Sequence, residues 1–219
     1  MISCVSFTGA DDKVPVCRLT ELTRAFAPTV AAEWAILYFP EKEGAPRNPS
    51  RPWRETFLAE NLPHTAIHLC GSKVFKDILA GDTEVLAELG QYGRIQININ
   101  VRRRLYTDDE VCRIYDALLT NGSKLILQHH AESSELVEDY LTREGRLARC
   151  GVLFDSSGGT GLLPAEWPQP LIVEGQAAFC GYAGGLGPDT IETELARIQA
   201  VAGARPFRGG YGEPGSDRQ

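Results

Sequence analysis

Apolar and polar positions along this chain fall into short blocks with two different periods. Seven runs read as strands: residues 2–7 (ISCVSF), 33–39 (EWAILYF), 64–70 (HTAIHLC), 94–100 (RIQININ), 124–130 (KLILQHH), 151–155 (GVLFD) and 178–183 (AFCGYA). Between them the spacing predicts helices near 17–27, 51–62, 73–90, 107–120, 133–147 and 188–202. The segment 107–120 opens on Thr107 with Glu110 three residues on, a capping-box signature. It then places Val111, Ile114, Tyr115 and Leu118 on one helical face. The stretch 156–177 reads as a Pro-rich loop without a clear helix.

Strands separated by crossovers of this length should be parallel. Both an open doubly wound sheet and a closed (β/α)8 barrel satisfy that pattern. The run RIQININ favours the barrel, because it puts Gln96, Asn98 and Asn100 on one face and Ile95, Ile97 and Ile99 on the other. Strands of doubly wound sheets are usually apolar on both faces, whereas a barrel strand can turn polar inside, near its C-terminal end. His68 and His130 sit late in their strands in the same way. An eighth strand has only ARPF (204–207) to draw on, and RGGYGEPGSDRQ after it has neither strand nor helix character. The expectation is one (β/α)8 TIM-barrel domain over residues 1–207, incomplete or irregular at strand 8 and helix 8. Residues 208–219 are expected to form an irregular tail of divergent or frameshifted origin. An unclosed seam would leave sticky edges, so either association with another chain, such as a homodimer, or marginal stability is expected.

Composition narrows the function classes. The 219 residues carry a formal net charge of −7, which argues against a nucleic-acid partner. The one basic cluster, Arg102–Arg104, is followed by Asp108 and Asp109 and reads as a loop. No stretch approaches the ~18 apolar residues of a membrane span. The start, MISCVSFTGADDK, lacks the basic and apolar regions of a secretion signal. Six cysteines without a C-x-x-C pair point away from a disulfide framework and towards a reducing cytoplasm. His129 and His130 are strand neighbours facing opposite ways, so no metal site is expected from them.

The stretch VLFDSSGGTG (152–161) runs an apolar strand into Asp155 and then into residues that favour turns. Asp155 is therefore expected at a strand's end facing a loop, an address of catalytic groups and of turn-capping aspartates alike. Taken in order, the strand ends resemble those of the phosphoribosylanthranilate isomerase family of barrels. Cys4 in ISCVSF matches that family's first-strand Cys, and YFPEKEGAPRNPS supplies Arg47 after a longer loop. IQINI keeps Gln96, with Asn98 where the family has His. FDSSGGTG matches the Asp and the Gly-rich loop after strand six, and YAGGLGPDTI matches the seventh motif. Ser3 stands where the family has Lys, and the family's eighth-strand motif has no counterpart.

The resemblance implies an Amadori-type aldose–ketose isomerisation of an aminosugar phosphate, without a cofactor. It casts Asp155 as acid, Cys4 as base, Arg47 as holder of a ligand carboxylate, and Gln96 and Asn98 as orienting groups. Gly159, Gly184 and Gly185 would receive the phosphate. The residues alone support part of this: Gly184 and Gly185 allow close backbone approach, and Pro188 suits the first turn of a helix whose free N–H groups favour an anion. The alternative is a phosphosugar-binding barrel without turnover.

Overall fold

Short parallel strands joined by helical crossovers must pair across those crossovers, and eight of them can close on themselves. The computed structural model describes residues 1–98, 105–155 and 161–212 and shows that closure. The strands are β1 (Ile2–Thr8), β2 (Ala31–Tyr38), β3 (Thr65–Leu69), β4 (Arg94–Ile97), β5 (Leu125–His129) and β6 (Cys150–Asp155). After them come a small hairpin, β7 (Ile172–Val173) and β8 (Gln176–Ala177), then β9 (Phe179–Ala183) and β10 (Phe207–Gly212). The closed order is β1-β10-β9-β6-β5-β4-β3-β2, with every barrel pair parallel. This is a (β/α)8 TIM barrel.

Strand alternation sorts the side chains. Ile36, Ile67, Ile95, Ile97, Leu127 and Tyr182 join helix residues Phe57, Phe75, Leu118, Val137 and Ile198 in one large core between barrel and helices. Burying each of these contributes about 1.5–3 kcal/mol. Among the described residues, a small apolar plug inside the barrel forms from Ala35, Ala66 and Ile126 with Leu153 against them. The lumen beside it is lined by polar groups together with apolar ones such as Leu37, Val152 and Phe179.

Four expectations need correction. The seam is closed: β10 begins at Phe207 and runs through the Gly-rich stretch to Gly212, pairing with both β1 and β9. Glycines are poor strand formers, but two waiting edges supply a ladder on each side and override propensity. Phe207 anchors the strand, buried and edge-on to Tyr182 with ring centroids 5.8 Å apart. Residues 208–212 are thus part of the barrel and not of a tail; residues 213–219 lie outside the described residues. The barrel has no open edge of the kind from which a homodimer was expected.

The helix expected over 73–90 is two helices, Lys73–Ala80 and Thr83–Leu89. Gly81 ends the first in the left-handed region at φ 74°, and the Asp82 carboxylate caps the second, accepting from Glu84 N and Val85 N. The loop expected over 156–177 carries the β7–β8 hairpin, turned through Glu174 and Gly175 at φ 48° and 80°. The helix expected from residue 188 starts at Ile191, because Thr190 Oγ1 ties residues 185–190 into a turn. Arg102–Arg104, Ile99, Asn100 and Gly159 lie outside the described residues. No helix among the described residues is long and apolar enough to cross a membrane.

Candidate active site

Parallel barrel strands bring their C-terminal ends to one rim, and the lumen opens there as a cavity of about 240 Å³. Asp155, Arg47, Gln96, Asn98, Gly184 and Gly185 all line it. Asp155 ends β6, 8% exposed, and its Oδ2 accepts a hydrogen bond from Gln128 Nε2 at 2.8 Å. Gln128 is itself 1% exposed on β5, so the carboxyl is held by a side chain that has little freedom.

Cys4 is not among the residues lining the cavity. The first strand continues four residues beyond it, to Thr8, so Ser6 and Thr8 take the cavity-facing places on β1 and Cys4 lies beneath them. The thiol is 2% exposed and within 3.5 Å of Arg208 Nη1. Burial pushes the Cys4 thiol up, and the Arg208 guanidinium pulls it back only in part. Asp155 thus lines the cavity and Cys4 does not, and the burial that pushes the thiol up disfavours the thiolate a base would need.

Arg47 is held in an unusual way. It sits at φ 65°, in the left-handed region that side chains other than glycine seldom adopt. Its N–H donates to Asp11 Oδ2 at 2.6 Å, and its guanidinium lies against Gly9, where an added Cβ would meet Nε at 3.0 Å. Asp12 accepts from Ser50 N at 2.8 Å. Arg54, buried, donates to Glu43, Glu88 and the Pro49 carbonyl. Together these contacts fix the loop that carries Arg47 over the mouth.

The turn at 184–187 is built from two left-handed glycines, Gly184 at φ 115° and Gly185 at φ 66°. Gly185 packs so closely on the loop before it that a Cβ would lie 2.7 Å from Leu163 N. Gly187 N donates to Thr190 Oγ1 at 2.9 Å, which in turn donates to Gly185 O at 2.8 Å.

Below the rim lies an ion cluster that the hydropathy pattern does not reveal. Glu33, 2% exposed, accepts from Arg94 Nε at 2.8 Å and Nη2 at 2.5 Å, from Arg208 Nη1 at 2.8 Å and from Ser6 Oγ at 2.5 Å. Burial alone would raise the Glu33 carboxyl, but the two guanidiniums and the hydroxyl hold it below the ordinary range. His68 lines the same cavity, and burial lowers it to about 4, with Arg94 and Arg47 pushing the same way against Glu33. It is a neutral imidazole at pH 7. Among the described residues, no group of three or more His, Cys, Asp or Glu stands where it would hold a metal ion.

The site is thus a polar, partly cationic mouth of a (β/α)8 barrel with one buried carboxyl in its wall. No protein-family model and no curated protein matches the sequence. Solved structures do resemble it. One is phosphoribosyl anthranilate isomerase in complex with reduced 1-(o-carboxyphenylamino)-1-deoxyribulose 5-phosphate, at TM-score 0.53 and 13% identity, covering 100% of this chain and 90% of that one. Another is a family 2 AP endonuclease from Brucella melitensis, at TM-score 0.52 and 13% identity, covering 96% and 92%. Two such different proteins on one architecture establish the fold and leave function to the site.

Proposed function

We propose that this barrel isomerises a small aminosugar phosphate in its mouth, by an Amadori-type aldose–ketose rearrangement. The observation that carries the reading is that Asp155, Arg47, Gln96, Asn98 and Gly184–Gly185, far apart in sequence, share one cavity. The ordered strand-end motifs that resemble phosphoribosylanthranilate isomerase, and the likeness in fold to that enzyme, support it.

In this reading Asp155 works twice. Its carboxyl gives a proton to the furanose ring oxygen; the C1′–O bond breaks as the nitrogen lone pair forms C1′=N. The resulting carboxylate then takes the C2′ proton, the C2′–H pair forms C1′=C2′, and the C1′=N pair returns to nitrogen. The enolamine gains a proton at C1′ as its C2′ hydroxyl loses one, giving the ketone. The Gln128 amide keeps the carboxyl aimed through both steps. Arg47 pairs with an acidic group on the nitrogen substituent, and Gln96 and Asn98 hold sugar hydroxyls. Gly184 and Gly185 allow phosphate to approach the backbone. Cys4, beneath the cavity, takes no part.

A second reading, an anionic-sugar-binding barrel without turnover, is favoured by one observation: the thiol expected as base is buried outside the cavity lining, and burial pushes it up. The experiment is turnover of an N-aryl aminoaldose phosphate, followed by loss of aryl fluorescence. Disappearance of the signal with wild type, and its persistence with Asp155→Asn, supports the isomerase. Binding without any loss of signal would leave the second reading.

A further inference from the structure

The ion cluster inside the barrel is unbalanced. One carboxylate, Glu33, faces two guanidiniums, Arg94 and Arg208, and both arginines also line the cavity. His68, neutral, adds no charge. Asp155, the carboxyl among the cavity-lining residues, accepts from the neutral Gln128 amide, and Arg47 adds a third guanidinium to the lining. Arg208 Nε is sequestered from solvent and has no hydrogen-bond partner among the described residues. The same holds for two acceptors, Gln128 Oε1 and Asn98 Oδ1, on side chains that line that cavity. Buried polar atoms left in this state cost free energy, and an excess buried charge costs more. Glycine at 181 keeps the wall thin here: an added Cβ would stand 3.0 Å from Leu153 Cδ1 and 3.8 Å from Arg208 Cβ.

We infer that Arg208 and Arg94 form an oxyanion-binding site within the barrel, which takes the phosphate or carboxylate end of the ligand while its hydroxyl or amine donors reach Gln128 Oε1 and Asn98 Oδ1. The inference deepens the proposed function and rests on it only for the hydroxyl-bearing part. A planar guanidinium suits an oxyanion, and Glu33, paired with both guanidiniums, is the carboxylate with which an incoming oxyanion competes. The site is separate from the 184–187 turn, where the Gly187 N–H is already taken by Thr190. The sugar would then bind with an anionic end downward, its phosphate here in place of the Gly184–Gly185 turn or its carboxylate here in place of Arg47, as the tighter of the two probes decides.

The test is calorimetric titration of the full chain with inorganic phosphate and, separately, with acetate; the tighter of the two names the group that the site takes. Wild type should bind one of them, and Arg208→Gln should weaken that binding by about tenfold or more. Glu33→Gln removes the competing carboxylate and should tighten binding by about tenfold, which a merely structural ion cluster would not do. Arg18→Gln, an exposed guanidinium outside the cavity, should leave the affinity within about twofold, by the same arithmetic. If Arg208→Gln does not fold, the sign of the Glu33→Gln change decides alone. Absence of binding to wild type would overturn the inference, as would an unchanged affinity in Glu33→Gln, or loss of binding in Arg18→Gln but not in Arg208→Gln. Anion binding without turnover would sink the isomerase and leave this site standing; turnover with an anion-indifferent floor would do the reverse.

Discussion

Gln128 and Asp155, on neighbouring strands β5 and β6, are joined by a hydrogen bond of 2.8 Å between Nε2 and Oδ2, both side chains nearly sealed from solvent. The amide can only donate through this nitrogen, so it holds the carboxyl by Oδ2 in a fixed orientation. Asp155→Asn should lower kcat by about 10²–10⁴-fold if the carboxyl moves the proton. Gln128→Met keeps the volume and removes the donor, and should lower kcat by about tenfold with less effect on KM. Steady-state kinetics check both; an Asp155→Asn variant with wild-type kcat would remove the residue from the mechanism.

Cys4 gives the opposite expectation. Its thiol is buried under Ser6 and Thr8, and Cys4→Ala removes one sulfur from the wall of the ion cluster. The loss should appear as about 1 kcal/mol of stability in urea unfolding, with kcat within about threefold of wild type. A fall of a hundredfold or more in kcat without a change in fold would restore the thiol to the chemistry.

Arg47 couples strain to binding. Holding a non-glycine residue at φ 65° costs about 1–2 kcal/mol. Arg47→Gly should therefore leave Tm equal or higher while raising KM about 10–100-fold, since a bidentate contact to the ligand is lost. Asp11→Ala, which frees the Arg47 backbone N–H, should raise KM less and lower Tm. A rise in Tm with KM unchanged would show that Arg47 does not touch the ligand.

Acid should loosen the fold through His68. Its ordinary value is 6.5 and in the folded chain it lies near 4, so between those values the unfolded chain binds a proton that the folded chain refuses. Stability then falls as pH drops through that window, by about 3 kcal/mol at most. Glu33, depressed below its ordinary 4.5, adds a further loss at lower pH as its ion pairs are protonated away. Urea unfolding at pH 7, 5.5 and 4.5 should show this slope, and His68→Asn should flatten the part above pH 4.5. An unchanged slope in His68→Asn would contradict the assignment.

Much of the barrel was legible because period-two alternation in RIQININ and the helical spacing of 107–120 carry strong signals. The capping box at Thr107 and Glu110 is present with both of its backbone bonds. The eighth strand was not legible, since FRGGYG has almost no intrinsic strand preference and is held by β1 and β9 alone. The ion cluster escaped for a related reason. Glu33, Arg94 and Arg208 lie at or near the starts of their strands, more than sixty residues apart, and only closure brings them together. Arg208 also sits in the stretch taken for a tail. Gln128 had a readable signal, because it shares a strand face with Ile126 and His130. Cys4 was assigned to the mouth by its match to a motif, whereas the strand's own length, running on to Thr8, sets it lower.

The most direct measurement is proton NMR of an aminoaldose phosphate incubated with the protein in D2O. Wild type should convert it to the aminoketose with solvent deuterium appearing at C1′, because the proton leaves C2′ for Asp155 and C1′ is protonated from water-exchanged groups, and Asp155→Asn should do neither. A ligand that binds, stays an aldose and keeps its C2′ proton with the wild-type chain would contradict the account.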